Sequence, residues 1–435
     1  MAVSSFASDG APAAAIDNRT RHRIALRLLP FLFLLYIVNF LDRTSLAFGA
    51  LGMSRDLGFS DRVIGLGVGA FFISYVVLQI TCGRFLDCWS ARRMISVTMV
   101  VWGLLTGLTA LVRTPGQLYL ARFALGVAEA CFFPGVIILL SHWFIRADRA
   151  KAASNFLAAI PLSLVIGSPI AGWVLGRNWF AIQGWRWLFM LEGMPAVVLG
   201  ILALFLLADR PSEARWLTPV QQQAMEQKLE EERSQTLRPV TVGQTLCSAP
   251  TLLLAAVDFL SFFVFYSVAF WLPTLLKRQS GLSDWHVGLL GAVPYAVGLI
   301  ALVFSGWHSD RRRERVWHVA VPLFIAAGGL LGLVCLPSST ALTVVLLSVV
   351  CVELGFNPVF WAIPTEILSG PAAAAAVGMI CGVSSVAGFT GPYAFAYLNS
   401  VTGSMRYGFA LMMVSLLAGG VLILLVPGVR QRSGH

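Results

Sequence analysis

Residues Met94 to Val112, MISVTMVVWGLLTGLTALV, carry no charged side chain, and this stretch decides the class of fold. As a helix rising about 1.5 Å per residue it crosses a hydrocarbon core of roughly 30 Å. Arg92 and Arg93 stand just before it and Arg113 just after, so charge brackets the run. Similar runs recur on both sides, at 28–50, 63–82, 118–140, 152–175 and 187–208, then at 251–275, 286–305, 316–336, 341–361, 373–398 and 406–426. The pattern is six spans, a break, and six more. Composition agrees: 57% of residues are hydrophobic and only 12% charged, with mean hydropathy +0.79, whereas soluble domains carry roughly a quarter charged residues. A transmembrane barrel requires alternating apolar and polar positions, and the unbroken run Val344 to Val352 has no such alternation. The expected fold is therefore an all-α membrane protein, twelve transmembrane helices in two pseudo-symmetric six-helix bundles.

The expected organisation is an N-terminal tail at 1–27, a first bundle at 28–208, a linker at 209–249, a second bundle at 250–427 and a C-terminal tail at 428–435. Arg19, Arg21, Arg23 and Arg27 ahead of the first run resemble the start of a signal peptide. The run from Leu28 to Ala50 is too long for one and lacks a cleavage site, so it reads as a retained helix and no targeting peptide is apparent. In the linker, Glu230-Glu-Glu-Arg233 interrupts the hydropathy and suits a short solvated helix. Most of the 31 lysines and arginines fall in the segments on the side of the N terminus. The positive-inside rule thus places both termini in the cytoplasm of a cell whose inner membrane the chain spans.

Several functions are disfavoured at this level. The net charge of +10 suggests nucleic acid, but the basic residues sit at the ends of apolar runs and form no patch, so no nucleic acid partner is expected. The seven cysteines are scattered, without CxxC spacing or a disulfide framework, and read as free thiols. His142, His286, His308 and His318 have no metal-ligand spacing, and no catalytic triad emerges. No enzyme, metal or cofactor is expected.

Charges inside the apolar runs carry the chemistry. Asp42, Arg43, Arg122 and Glu129 lie within spans, where a charge costs at least about 2.5 kcal/mol unless paired or hydrated. Arg122, Gly126 and Glu129 at i, i+4 and i+7 share one helix face across a glycine. The planar, permanently charged guanidinium suits a carboxylate, which makes Arg43 and Arg122 the leading anion-binding residues. Asp42 and Glu129 are the proton-coupling candidates, because exchange of water or a cation around a buried acid changes its protonation. The same residues also fit permanent structural pairs, Asp42 with Arg122 or Arg43 with Glu129. Asp258 and Glu353 are further acids in spans without an assigned role, while Glu192 and Glu366 are placed near helix ends and left out of the site.

An internal repeat joins the halves. Gly83-Arg-Phe-Leu-Asp87 closes the second span and Gly306-Trp-His-Ser-Asp310 the eighth, each followed by an arginine cluster. Parallel repeats place a solute pathway between two bundles that rock about a central site. The segments 83–93 and 306–315 resemble the loop signature of the major facilitator superfamily. That resemblance implies a cytoplasmic gate of Asp87, Arg92 and Arg93 with Asp310 and Arg311, although Cys88 and Ser90 depart from the usual arginine and glycine. Asn39-Phe-Leu-Asp42-Arg43, Arg122-Phe-Ala-Leu-Gly126-Val-Ala-Glu129 and Phe360-Trp-Ala-Ile-Pro364 are similar to its anion:cation symporter family, bacterial tartrate and phthalate permeases in particular. The family resemblance implies proton-coupled import of a small organic anion such as a sugar acid, dicarboxylate or aromatic acid. It also implies substrate contact at Tyr75, with Asn39 in the same motif as Asp42 and Arg43. Tyr266, Trp361 and Ser385 are candidates to line the opposite half of the cavity. The expected partners are the anion, protons and the bilayer, and the expected working unit is a monomer. An anion exchanger or drug exporter of the same fold, or a non-transporting membrane sensor, are the alternatives.

Overall fold

The computed structural model of the chain describes residues 17–86, 90–145, 148–149, 152, 156, 158–235, 248–337, 339–364 and 371–427. Among the described residues, ten helices are long and apolar enough to cross a membrane. They are α1 (Asn18–Leu57), α2 (Asp61–Leu86), α4 (Pro115–Trp143), α6 (Gly184–Leu206), α7 (Ala249–Ser280), α8 (Asp284–Arg312), α9 (Val316–Cys335), α10 (Thr340–Phe360), α11 (Pro371–Thr402) and α12 (Arg406–Leu424). Two more complete the twelve: α3 (Ala91–Thr109), whose first turn carries Arg92 and Arg93, and the shorter apolar α5 (Ala159–Leu175). The apolar belt they present outward, with Leu120, Phe205 and Ile300 about 70% exposed or more, is the surface expected against lipid tails.

The first helix begins at Asn18, ahead of the apolar run, because Thr20, Ile24, Leu28 and Leu32 recur on one face and are buried while the arginines occupy the other. That buried stripe meets the linker. Gln221 donates to Thr20 at 3.0 Å, and the Arg27 guanidinium lies 5.2 Å from the Trp216 ring, which stacks on Trp143 of α4 at 5.5 Å. The linker forms the expected short helix, Pro219–Gln235. Cys335, Cys351 and Cys381 are free thiols, as expected. Cys131 instead is disulfide-bonded; spacing along a chain does not report which helices bring two sulfurs together.

Packing follows the repeat. In the first half α3 lies on α6, α2 on α4, and α1 on α5 and α6; in the second α9 lies on α12, α8 on α10, and α7 on α11 and α12. The halves meet through two equivalent crossings, α5 with α8 and α2 with α11, and through α1 with α7. At the first crossing the Gly172 and Gly288 backbones come so close that a Cβ on either would collide with the other helix.

The strongest sign of duplication is at one end of the bundles. Helices α1 and α7 stop at Gly58 and Gly281, with φ of 68° and 65°, the left-handed conformation that glycine adopts without strain. Three residues later an aspartate opens the next helix, Asp61 in α2 and Asp284 in α8. Each aspartate pairs with an arginine from the other half: Arg55 with Asp284 at 2.7 Å and Arg278 with Asp61 at 2.5 Å. Among the described residues, every ion pair between the bundles lies at this Gly58 end. Lys277 adds to Asp284 at 2.9 Å and Asn399 to Asp61 at 3.4 Å.

A second duplicated feature sits at mid-depth. Helix α4 is interrupted at Ala130–Cys131, directly after Glu129 and ahead of Pro134, while α10 tightens to a 3-10 turn at Val352–Phe356, which holds Glu353 and precedes Pro358. In both the acid stands five residues before the proline. A proline removes the hydrogen bond to the carbonyl four residues back, which loosens the helix just after the acid.

Candidate functional site

Three helices of the first half deliver the charges. Helix α1 brings Asn39, Asp42 and Arg43, α4 brings Arg122 and Glu129, and α2 brings Phe71 and Tyr75; all are buried. The approach of α2 to α4 depends on Gly126, where an added Cβ would strike the Phe71 carbonyl and the Ser74 hydroxyl. Ser74 ties the two helices by donating to the Phe123 carbonyl at 2.8 Å. The Phe71 ring is thereby wedged between the guanidinium groups, 4.7 Å from Arg122 and 5.5 Å from Arg43, a geometry in which a ring face attracts a cation.

Glu129 is the hub. Its Oε2 accepts from Arg43 at 3.0 Å and from Asn39 Nδ2 at 3.0 Å, while Oε1 has no hydrogen-bond partner. Arg122 is fully buried, and none of its three guanidinium nitrogens has a hydrogen-bond partner. Asp42 is likewise buried with both carboxyl oxygens unpartnered, within the fields of Glu129 and Arg122 and next to Thr106. Of the two pairs open in the sequence, only Arg43 with Glu129 closes. One ion pair is made, and one guanidinium and one carboxyl remain uncommitted in the same buried cluster.

Arg43 also faces the second half. Its guanidinium lies 4.8 Å from the Tyr75 ring, and Tyr36, Tyr75 and Tyr266 all interact with it electrostatically. Tyr266 on α7 reaches it across the seam, where its ring meets Phe72 at 4.9 Å and Phe40 meets Phe265 at 6.0 Å. The structure thus gathers Asn39, Asp42, Arg43, Tyr75, Arg122, Glu129 and Tyr266. It does not bring Trp361 against this cluster; that ring packs on Phe360 at 5.3 Å. Ser385 also stands apart, with its hydroxyl 3.3 Å from Gln79 of α2, and its neighbour Ser384 donates to Asp258 within the second half.

Of the gate residues, Asp87 lies outside the described residues, as does Glu366. Arg92 turns to the start of the linker, its backbone donating to Asp209 at 2.8 Å and its side chain 3.9 Å from Glu213. Arg93 is exposed, Asp310 pairs with Arg315 at 2.6 Å, and Arg311 lies 5.7 Å from the Trp307 ring. None of these contacts joins the two halves. Sequence reasoning overlooked Phe71, Gln79 and Thr106, and also the ion pairs at the Gly58 end. Those pairs had a signal, the duplicated Gly58-Phe-Ser-Asp61 and Gly281-Leu-Ser-Asp284. Glu192, set aside as near a helix end, lies more than two turns inside α6 with one carboxyl oxygen buried and unpartnered. Its span begins at Gly184, before the apolar run at 187, so the run understated its depth. Among the described residues no group of three or more His, Cys, Asp or Glu can hold a metal ion.

Comparison with known proteins gives this geometry a context. Residues 32–367 match the family model described as Major Facilitator Superfamily. A protein of Agrobacterium vitis named for tartrate transport is 37% identical over 97% of this chain and 94% of its own. A quinolone resistance transporter of Acinetobacter baumannii is 33% identical over 94% of this chain and 95% of its own. Among solved structures, a bacterial homologue of the human lysosomal transporter Spinster, in an inward-facing, unoccupied conformation, superposes with a TM-score of 0.70 at 18% identity, covering 96% of this chain and 97% of that one.

Proposed function

The chain belongs to the Major Facilitator Superfamily and is a membrane transporter of a small molecule, not an enzyme; from that premise we propose proton-coupled import of a small dicarboxylate, with tartrate the first candidate. The observation that carries the reading is the cluster of two guanidiniums and two carboxyls, only half of it paired. With Asp42 and Glu129 both ionised the four charges cancel. Protonating both leaves two guanidiniums to face a dianion, so a dicarboxylate with two protons returns the site to neutrality. A low-dielectric site favours that balance, since an uncompensated charge there is costly. Tyr75, Tyr266 and Asn39 supply hydrogen-bond groups around the arginines, and hydroxylated carbon atoms suit such a lining. The tartrate assignment draws its support from the relative named for that anion.

In this conformation the Gly58 end is closed by the α5–α8 and α2–α11 crossings and bridged by the paired aspartates and arginines, and the described gate residues of the opposite end do not join the halves. We read the Gly58 end as periplasmic and the other as cytoplasmic, as the distribution of lysine and arginine requires. The structure then corresponds to the step at which anion and protons leave for the cytoplasm of a bacterial cell, across its inner membrane.

Purified protein in liposomes tests the reading. Labelled tartrate should accumulate when the outside is acidified and should not when the gradient is collapsed. With two protons per dianion, an imposed voltage alone should drive no uptake. Accumulation that ignores the pH gradient overturns proton coupling, and accumulation only with acid inside points to export. Labelling of Cys88 or Cys247 by an impermeant thiol reagent outside intact cells overturns the orientation; both lie outside the described residues.

A further inference from the structure

Glu192 belongs to none of the contacts used above, yet its environment is built. A small cavity lies between the charged cluster and the closed Gly58 end, walled by α1, α5, α6, α7 and α8. Its polar lining is Thr44 and Ser45, Ser163 and Ser168, Glu192 and Tyr295. The volume open to a water-sized sphere is about 10 Å³, the scale of one water molecule, and such a cavity holds water when it offers two or more polar partners. Glu192 Oε2 is buried there without a hydrogen-bond partner in the protein. The carboxyl sits beside Ser45 and within the field of Asp42. Ser45 lies one turn beyond Asp42 on α1 and donates to the Asp42 carbonyl at 2.7 Å.

We propose that Glu192 is the proton-loading group of the outer half of the pathway, passing a proton through the cavity and Ser45 to Asp42. This rests on the proposed proton coupling and deepens it. The proton leaves the Glu192 hydroxyl for the water or Ser45 oxygen, and the Ser45 hydroxyl, which here donates to the Asp42 main-chain carbonyl, turns to pass its own proton to an Asp42 carboxylate oxygen. Glu192 is left ionised for reloading, and nothing is oxidised or reduced. The titratable groups facing Glu192 are Asp42 from α1 and Tyr295 from α8; α5 and α7 contribute Ser163, Ser168 and Ala269, and α3 contributes no charged group to the cavity. Among the described residues no arginine or lysine lines it, so a carboxyl there gains a proton without breaking an ion pair. The α7 and α8 walls belong to the other half. Parting of the halves at the Gly58 end opens the cavity to the periplasm, and closing them isolates it with Asp42.

Two measurements on the full-length purified protein test this. Infrared titration follows the carbonyl stretch of protonated carboxyls without any substrate. Glu192→Gln should remove one component of that band and alter the titration of the component that Asp42→Asn removes. A band and titration identical to wild type overturn the proposal. If Glu192→Gln does not fold, Ser45→Ala serves instead, and it should shift the Glu192 component, with no shift counting against the relay. In liposomes, Glu192→Gln should lose acid-driven accumulation of tartrate but keep tartrate exchange at equal pH; normal accumulation overturns the relay. If wild type does not carry tartrate, the substrate assignment fails, and the infrared arm still decides the role of Glu192.

Discussion

At the scale of single residues, Arg122 and Arg43 divide the work. Arg43 holds Glu129 at 3.0 Å and looks across the seam at Tyr266, whereas Arg122 is fully buried and donates to nothing in the protein. A guanidinium in that state is stabilised only by the Phe71 face and by the fields of Asp42 and Glu129. Replacing either arginine by lysine keeps the charge and removes the planar fork. Loss of one charge-assisted hydrogen bond is about 1.5 to 3 kcal/mol, so tartrate affinity of either folded mutant should fall by about ten- to a hundredfold. Calorimetry on purified protein reads this directly, and unchanged affinity in both removes them from the site. These four charges were legible in the sequence because a charge in an apolar run has to be accounted for. Thr106, Gln79 and Phe71 were not. Neutral polar and aromatic residues are ordinary in spanning helices, and only the packing shows that Phe71 of α2 and Thr106 of α3 reach the charges while Gln79 of α2 meets Ser385 of α11.

At the scale of elements, α4 and α10 are the same device used twice with different results. Both loosen after a buried acid that stands five residues ahead of a proline, but only α4 has cationic partners for it. The position in α7 equivalent to Arg43, counted from the paired stops Gly58 and Gly281, is Tyr266, so the second half has no guanidinium there for Glu353. Glu129→Gln should therefore abolish uphill uptake while sparing exchange at equal pH, because the mutant binds but cannot cycle a proton. Glu353→Gln should leave both intact, since a neutral amide suits an acid without a cation partner. Equal losses in the two mutants would show that Glu353 couples as well. Packing sets a further test on α4. Gly126→Ala forces a methyl against the Phe71 carbonyl and Ser74, and overpacking of this kind costs about 1 to 3 kcal/mol. A thermal unfolding scan in detergent should show a lowered midpoint, and an unaltered one would mean that α2 and α4 can part freely. The twelve spans themselves were readable from hydropathy. Their interruptions were not, because an apolar run has the same composition whether the helix inside it is continuous or broken.

At the scale of the whole molecule, the pseudo-two-fold axis turns two local motifs into a lock. Each half contributes an arginine from the end of its first helix and an aspartate from the start of its second, and each aspartate meets the other half's arginine. The aspartates gain twice, from the arginine and from the helix N-terminus they occupy. Because Arg55 and Arg278 are about half exposed, each pair is worth only about 1 kcal/mol or less. Neither pair alone holds the Gly58 end shut; most of the closure comes from the α5–α8 and α2–α11 crossings. Breaking both pairs, as in Asp61→Asn with Asp284→Asn, should shift the balance toward opening by up to about 2 kcal/mol, close to thirtyfold. Ser168→Cys on α5 reports the change, since Ser168 packs against Gly288 and Gly291 of α8 and is covered only while that end is closed. Its labelling by an impermeant thiol reagent applied from the side of the Gly58 end should be slow in the single mutant and faster once both aspartates are replaced. Restoring the pairs in reversed polarity, with arginine at 61 and 284 and aspartate at 278 and 55, should recover part of the protection. Recovery will be incomplete, because an arginine at a helix start opposes the dipole that the native aspartate complements. Full protection in the double asparagine mutant would mean that the crossings close this end without help from the charges.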